Sequence, residues 1–546
     1  MKKRRYTSLA TIGLSVTLLL AACSSTTGTS STGTGTGAGT NTNSNTAPQT
    51  ATAGGTLVVA APVEPDTLDP QKTTWLDNAN SQPYDSILTR DMQGKLVPHL
   101  AESWQVSDDG KVWTLVLRKD VKFQSGAPLT AESVKASIER FAAISPNKDL
   151  AGPIEKIEAA DANTVKVYFK EPFAPFANML VGTFLSPFDP QRLKEKGEQF
   201  GEAPLATGPF MHPEVKRGAS VTYVKNPDYK WAMPYAENQG APHVDKLVFR
   251  FLKDDDTRIL EFKKGTINIL QEVPSTYVEE LKAIPGTKIE TSMEQGMKYL
   301  GFNNQKEIFK DVRIKQAIAM GVDREPIVQF ALSGFAKPIF GPLPPTIPGY
   351  SEKIENMAKD MYGHNVDKAK QLLAEAGYTD SNGDGIADKG GKPLSFELLL
   401  SDDPALQRVA QILQSQLKEI GVDIKIAVTD VATVKDRAIK GNHELFLLYF
   451  GLNDPDILYL LMQTDNSKRV HYSNPKVDEL LAKGRTTMNE EERMKVYEEA
   501  QEILVNDAPW VPLYSSESVT ATRNVEGYKL NPFTGDIPFA DIRITK

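Results

Sequence analysis

The chain has 546 residues, of which 40% are hydrophobic and 24% charged, with a net charge of −8 and a single cysteine. An acidic, well-mixed composition without a basic stripe excludes nucleic acid as the partner, and one cysteine excludes a disulfide framework. So long a chain outgrows one hydrophobic core, and two or three domains are expected.

Lys2, Lys3, Arg4 and Arg5 precede an apolar stretch from Leu9 to Ala22. That stretch is too short for a stable membrane span, so residues 1–22 read as a signal peptide. It runs into Leu20-Ala21-Ala22-Cys23, which resembles the bacterial lipobox. The resemblance implies cleavage before Cys23 and a diacylglyceryl group on its sulfur, anchoring the protein to the outer face of the cell membrane. Losing the four positive charges of residues 2–5 takes the net charge from −8 to −12. From Cys23 to residue 55 the chain is nearly all Ser, Thr, Gly, Asn and Ala. Such a segment buries too little surface to offset its chain entropy and is expected to be a flexible tether.

Strands are expected at 56–60, 112–117, 165–169 and 247–251, with a helix after Thr130 that places Val134, Ile138 and Phe141 on one face. Asp109-Gly110 reads as a hairpin turn. Further along, a helix over 366–376 stops at Gly377 and another over 406–420 stops at Gly421. A period-two strand (422–428), a short helix to Lys440 and the apolar strand Leu445-Phe446-Leu447-Leu448-Tyr449-Phe450 follow. This alternation predicts an α/β chain with a buried, largely parallel sheet in its second half.

An ordered series of motifs carries a wider resemblance. It begins with Pro98-His99-Leu100-Ala101-Glu102-Ser103-Trp104 and Gly126-Ala127-Pro128-Leu129-Thr130, and continues through Thr207-Gly208-Pro209-Phe210 and Asn226-Pro227-Asp228-Tyr229. Tyr299-Leu300-Gly301-Phe302-Asn303, Leu372-Leu373-Ala374-Glu375-Ala376-Gly377-Tyr378 and Ala508-Pro509 complete it. The series resembles family 5 solute-binding proteins, which bind oligopeptides, dipeptides, nickel chelates or oligosaccharides. The resemblance implies a two-lobed periplasmic-binding-protein-like α/β fold (class C, type II) with an extra domain and a hinge between lobes. Domain I would comprise 56–97, 205–300 and 512–546, domain II 98–204 and domain III 301–511. It further implies a monomer that carries a peptide, or else an oligosaccharide or metal chelate, to an ABC permease driven by separate ATPase subunits. No cofactor is implied.

The segment Phe450-Gly451-Leu452-Asn453-Asp454-Pro455-Asp456 follows the apolar strand, where ligands sit in open α/β sheets. In the family's peptide binders this stretch carries a tryptophan and then an aspartate that receives the peptide ammonium. Here the aspartate position falls on Gly451 and the tryptophan is missing. Phe450, Asn453 and Asp454 are candidate ligand residues, and Trp75 is another. Against this, Asp454 and Asp456 are well placed to cap a helix from Ile457. Asp380, Asn382, Asp384 and Asp388 match a calcium loop whose twelfth position is Gly391 rather than glutamate, so a structural turn is favoured over a weak calcium site. The six histidines lack ligand spacing, and neither a G-x-S-x-G elbow nor a phosphate loop is present. A surface-anchored hydrolase is therefore the weaker alternative to a binding protein.

Overall fold

The computed structural model describes residues 51–52 and 54–545; the signal segment 1–22, Cys23 and the tether up to residue 50 lie outside them. Paired structure starts before the expected first strand at 56. Ala51–Thr52 pairs antiparallel with Thr545 and Ile544, a partner almost 500 residues away that local composition cannot reveal. Gly54 donates its N–H to the His243 carbonyl at 2.7 Å.

One sheet of twelve strands organises most of the chain. Its main path runs Asp423–Thr429, Ser395–Ser401, Leu445–Phe450, Met297–Phe302, Trp510–Arg523, Ile269–Leu270, Thr56–Ala61, Lys246–Phe251, Ser220–Lys225 and Phe210–Lys216. The fourteen-residue strand Trp510–Arg523 is its spine. Its first residues pair with 298–301 and its last with Thr287–Met293. It therefore ties a half built on Leu57, Val59, Phe249 and Ile269 to a half built on Leu300, Leu398, Leu413 and Leu447.

The parallel sheet expected around 422–450 is only partly parallel. Ser395–Ser401 does pair parallel with Asp423–Thr429 and with Leu445–Phe450, but Leu445–Phe450 takes Met297–Phe302 antiparallel on its other side. A continuous apolar run reports burial of both faces, which is satisfied whichever way the neighbouring strand points.

A separate four-stranded antiparallel sheet (Ala101–Val106, Val112–Leu117, Thr164–Phe169, Ile154–Ala159) carries its own core. The helix Ala131–Ile144 packs on it with Val134, Ile138 and Phe141 fully buried. Thr130 caps that helix reciprocally with Ser133: Oγ1 accepts from the Ser133 N–H at 3.3 Å and Ser133 Oγ accepts from the Thr130 N–H at 3.2 Å. Gly110 turns the hairpin between 101–106 and 112–117 with φ +68°. This sheet is joined to the large one where Thr207-Gly208-Pro209 crosses residues 82–84. A Cβ on Gly208 would lie 2.4 Å from the Gln82 carbonyl oxygen, so close backbone approach explains that glycine. The Gln124 amide holds the crossing by donating to the Pro83, Gly208 and Phe210 carbonyls at 3.0–3.2 Å.

Candidate functional site

The apolar strand Leu445–Phe450 ends at a cavity of about 610 Å3. Four stretches distant in sequence wall it: 74–81 after the first sheet strand, 178–184 from the body of the four-stranded sheet, 449–453, and 534–536 near the C-terminus. Gln295, in the short link between Thr287–Met293 and Met297–Phe302, also reaches it.

Of the candidates named from sequence, Trp75 and Asn453 line this cavity. Trp75 is 37% exposed. Asn453 Oδ1 accepts from Asn178 Nδ2, a bond that spans the cavity from the 178–184 wall to the 449–453 wall. Phe450 turns inward instead. It is 4% exposed and stacks on Trp510, ring centres 5.3 Å apart and planes at 7°. Strand alternation then points Tyr449 the other way, and Tyr449 is the aromatic that lines the cavity. Alternation was the signal in the sequence that could have found it.

Asp454 lies behind the cavity wall. Its carboxylate accepts from both Arg493 amino groups, at 3.0 and 2.6 Å, and from the Asp456 N–H at 2.8 Å. Asp456 accepts from the Tyr497 hydroxyl at 3.1 Å and meets Arg485 Nε at 3.2 Å. Burial pushes the Asp456 carboxyl up to about 6. The capping role expected for these two aspartates is not what they do: the helix Ile457–Met462 has no side-chain cap bond. Half-buried Arg485 from the helix Pro475–Thr486 and buried Arg493 from Glu490–Asp507 take the two carboxylates.

Gly451 is fixed by crowding. A Cβ there would sit 2.4 Å from the Tyr449 hydroxyl and 2.6 Å from the Gln295 carbonyl oxygen. Position 451 therefore has no room for a side chain.

Cavity residues absent from the sequence reading include Asp77, Asn178, Thr183 and Asp536. Asp77 caps the short helix Asn78–Ser81, accepting from the Asn80 N–H at 2.7 Å. Burial raises its carboxyl to about 6, with Asp66 and Glu272 adding repulsion. The Asp536 carboxyl is likewise raised to about 6 by burial, with Asp85 adding to it.

The loop at 380–391 stands apart from this cavity. Asp380 accepts from the Gly383 and Gly385 N–H groups at 2.7 and 2.9 Å, Asn382 from Asp384 at 3.0 Å, and Asp384 from Ile386 at 2.8 Å. Asp388 accepts from Ser381 and from the Gly391 N–H. The acidic side chains thus fold the loop on itself. Among the described residues no group of three or more His, Cys, Asp or Glu is placed to hold a metal.

Residues 95–471 match the sequence model of bacterial extracellular solute-binding proteins, family 5 Middle, which covers well over half the chain. The chain belongs to family 5. Among its family 5 relatives is the probable D,D-dipeptide-binding periplasmic protein DdpA of Escherichia coli (strain K12), 30% identical over 508 residues, covering 87% of this chain and 92% of that one. The oligopeptide-binding protein AppA of Bacillus subtilis, solved in complex with a nonapeptide, superposes with a TM-score of 0.71 at 25% identity over 91% of this chain and all of that one. NikZ of Campylobacter jejuni in complex with Ni(L-His) gives a TM-score of 0.73 at 25% identity, covering 89% and 99%. The two-lobed α/β fold expected from the motifs is the family 5 fold, and the family is one of solute-binding proteins rather than enzymes.

Proposed function

We propose that this protein captures a peptide in the 610 Å3 cavity and presents it to the permease of an ABC importer, without catalytic activity of its own. The carrying observation is the cavity's construction: walls from sequence-distant segments meet around a space within the roughly 300–1,000 Å3 of small-ligand sites. Relatives named for dipeptides and a neighbour solved with a nonapeptide support peptide as the solute class. A monomer held at the outer membrane face by a diacylglyceryl group on Cys23, through a tether ending near residue 55, completes the reading. So does a division into 56–97 with 205–300 and 512–546, 98–204, and 301–511.

Capture works by closure. Several contacts join the 90–178 region to the 453–490 region: Asn178 with Asn453, the Ala174 N–H with the Arg485 carbonyl at 2.8 Å, and Arg90 with Glu490 at 3.6 Å. A solute that touches both walls adds to these contacts only when the walls are together, so it shifts the population toward the closed form. Native mass spectrometry of protein purified without denaturation tests the reading. Bound masses that fragment as peptides are expected. Non-peptide cargo, with no calorimetric heat from a mixed peptide library, would contradict it.

A further inference from the structure

The cavity is lined by carboxylates but by no cation. Asp77 and Asp536 belong to its wall, and no Lys, Arg or His does among the described residues. Lys298, which is not a lining residue, places its Nζ over the Tyr449 ring, 4.5 Å from the centre.

A second observation is independent of charge. Asn178 and Thr183, both lining residues, are 8% and 9% exposed, and Asn178 Oδ1 and Thr183 Oγ1 have no hydrogen-bond partner. Asn178 gives one amide N–H to Asn453, and its Oδ1 is left as an unmet acceptor. A buried acceptor without a donor is costly unless a ligand supplies one. Two carboxylates and an unpaired amide oxygen all call for donors, and Trp75, Tyr449 and Phe184 add aromatic side chains to the same lining.

We infer that the solute carried by this protein bears a cation other than a peptide's terminal amine, an ammonium or guanidinium group held by Asp77, Asp536 and the Asn178 amide oxygen. The inference rests on the reading that this cavity is the solute site. The raised Asp77 and Asp536 carboxyls fit it, since a bound cation offsets the burial that raises them. The cation is thus received from stretches other than the one after Phe450, where Gly451 leaves no space for a carboxylate.

The test is calorimetry on ligand-stripped protein with Ala-Lys-Ala, Ala-Gln-Ala, Ala-Glu-Ala and the non-peptide amine spermidine. The same titrations are made on Asp77→Asn, Asp536→Asn and the double variant, each first checked for an intact melting transition. Asparagine keeps the shape of both sites and the cap at 77. Ala-Lys-Ala should bind at least about tenfold tighter than Ala-Glu-Ala, the low end for a hydrogen bond to a charged group. In the double variant that preference should fall below about threefold, since the charged acceptors are gone. Spermidine binding without any tripeptide binding would uphold the cationic site while overturning the peptide reading. Ala-Glu-Ala binding as tightly as Ala-Lys-Ala would overturn the inference and leave the peptide reading intact. A lysine preference that survives in the double variant would overturn the assignment to Asp77 and Asp536, and no binding by any of the four probes would overturn the inference outright.

Discussion

Replacing Asp454 by Asn separates a ligand contact from a buried structural charge. The Asp454 and Arg493 side chains are 4% and 7% exposed and bonded at 2.6 Å. Without the carboxylate charge, Arg493 retains the bond from its Nε to the Gly484 carbonyl at 3.0 Å and its position over the Tyr497 ring. Breaking a buried pair by removing one charge costs about 3–5 kcal/mol, because the other charge is left uncompensated. With an unfolding entropy of about 2.1 cal/mol/K per residue over a body of roughly 490 residues, each kcal/mol is worth about 1 °C, so Asp454→Asn should lower Tm by about 3–5 °C. Scanning calorimetry reads the loss. Adding Arg493→Met should recover part of it, since the unpaired charge goes too. Calorimetric titration of the folded variant should show solute affinity within about threefold of the parent, under one 1.4 kcal/mol step. An unchanged Tm with affinity down a hundredfold would refute the reasoning and make Asp454 a ligand residue.

Cys23→Ala should abolish acyl labelling and release the protein from the detergent phase, since two acyl chains anchor firmly where other attachment is weak; identical partitioning of variant and parent would defeat the lipid assignment. Solute affinity should fall about tenfold from pH 7 to pH 5, because a carboxyl with a pKa of about 6 is ionised to about a tenth at pH 5. The charged groups facing the two carboxyls, Asp66 and Glu272 at Asp77 and Asp85 at Asp536, all oppose ionisation; a flat profile would count against either group receiving the cation. Gly451→Ala should cost about 1–3 kcal/mol by overpacking against the Gln295 carbonyl, read as a lower Tm, and an unchanged Tm would show that the wall yields.

What the sequence made legible is what neighbours in the chain determine. Thr130 at the start of 131–144, and the glycines at 377 and 421 with φ +88° and +86° after helices 366–375 and 404–419, announce themselves within one or two turns. The buried strand 445–450 was equally plain from its run of apolar residues. Pairing was not, because hydrogen bonds to 297–302 and 395–401 depend on partners that no local pattern names. The site suffered most. Asp77, Asn178, Tyr449 and Asp536 meet in one cavity from positions more than 450 residues apart at the extremes. Asp454 looked available to a ligand because Arg493, 39 residues on, is invisible until the helix Glu490–Asp507 is packed behind the wall. Phe450 was credited with the place of its neighbour, since both are aromatic and only the direction of the strand decides which one faces the cavity.

Capture by closure is the claim on which the rest depends, and small-angle X-ray scattering of the stripped protein, before and after a solute whose binding is confirmed calorimetrically, tests it most directly. The account predicts a smaller radius of gyration with solute, as the contacts of Asn178 with Asn453 and of Ala174 with Arg485 become populated. Superimposable profiles with the solute bound would contradict it.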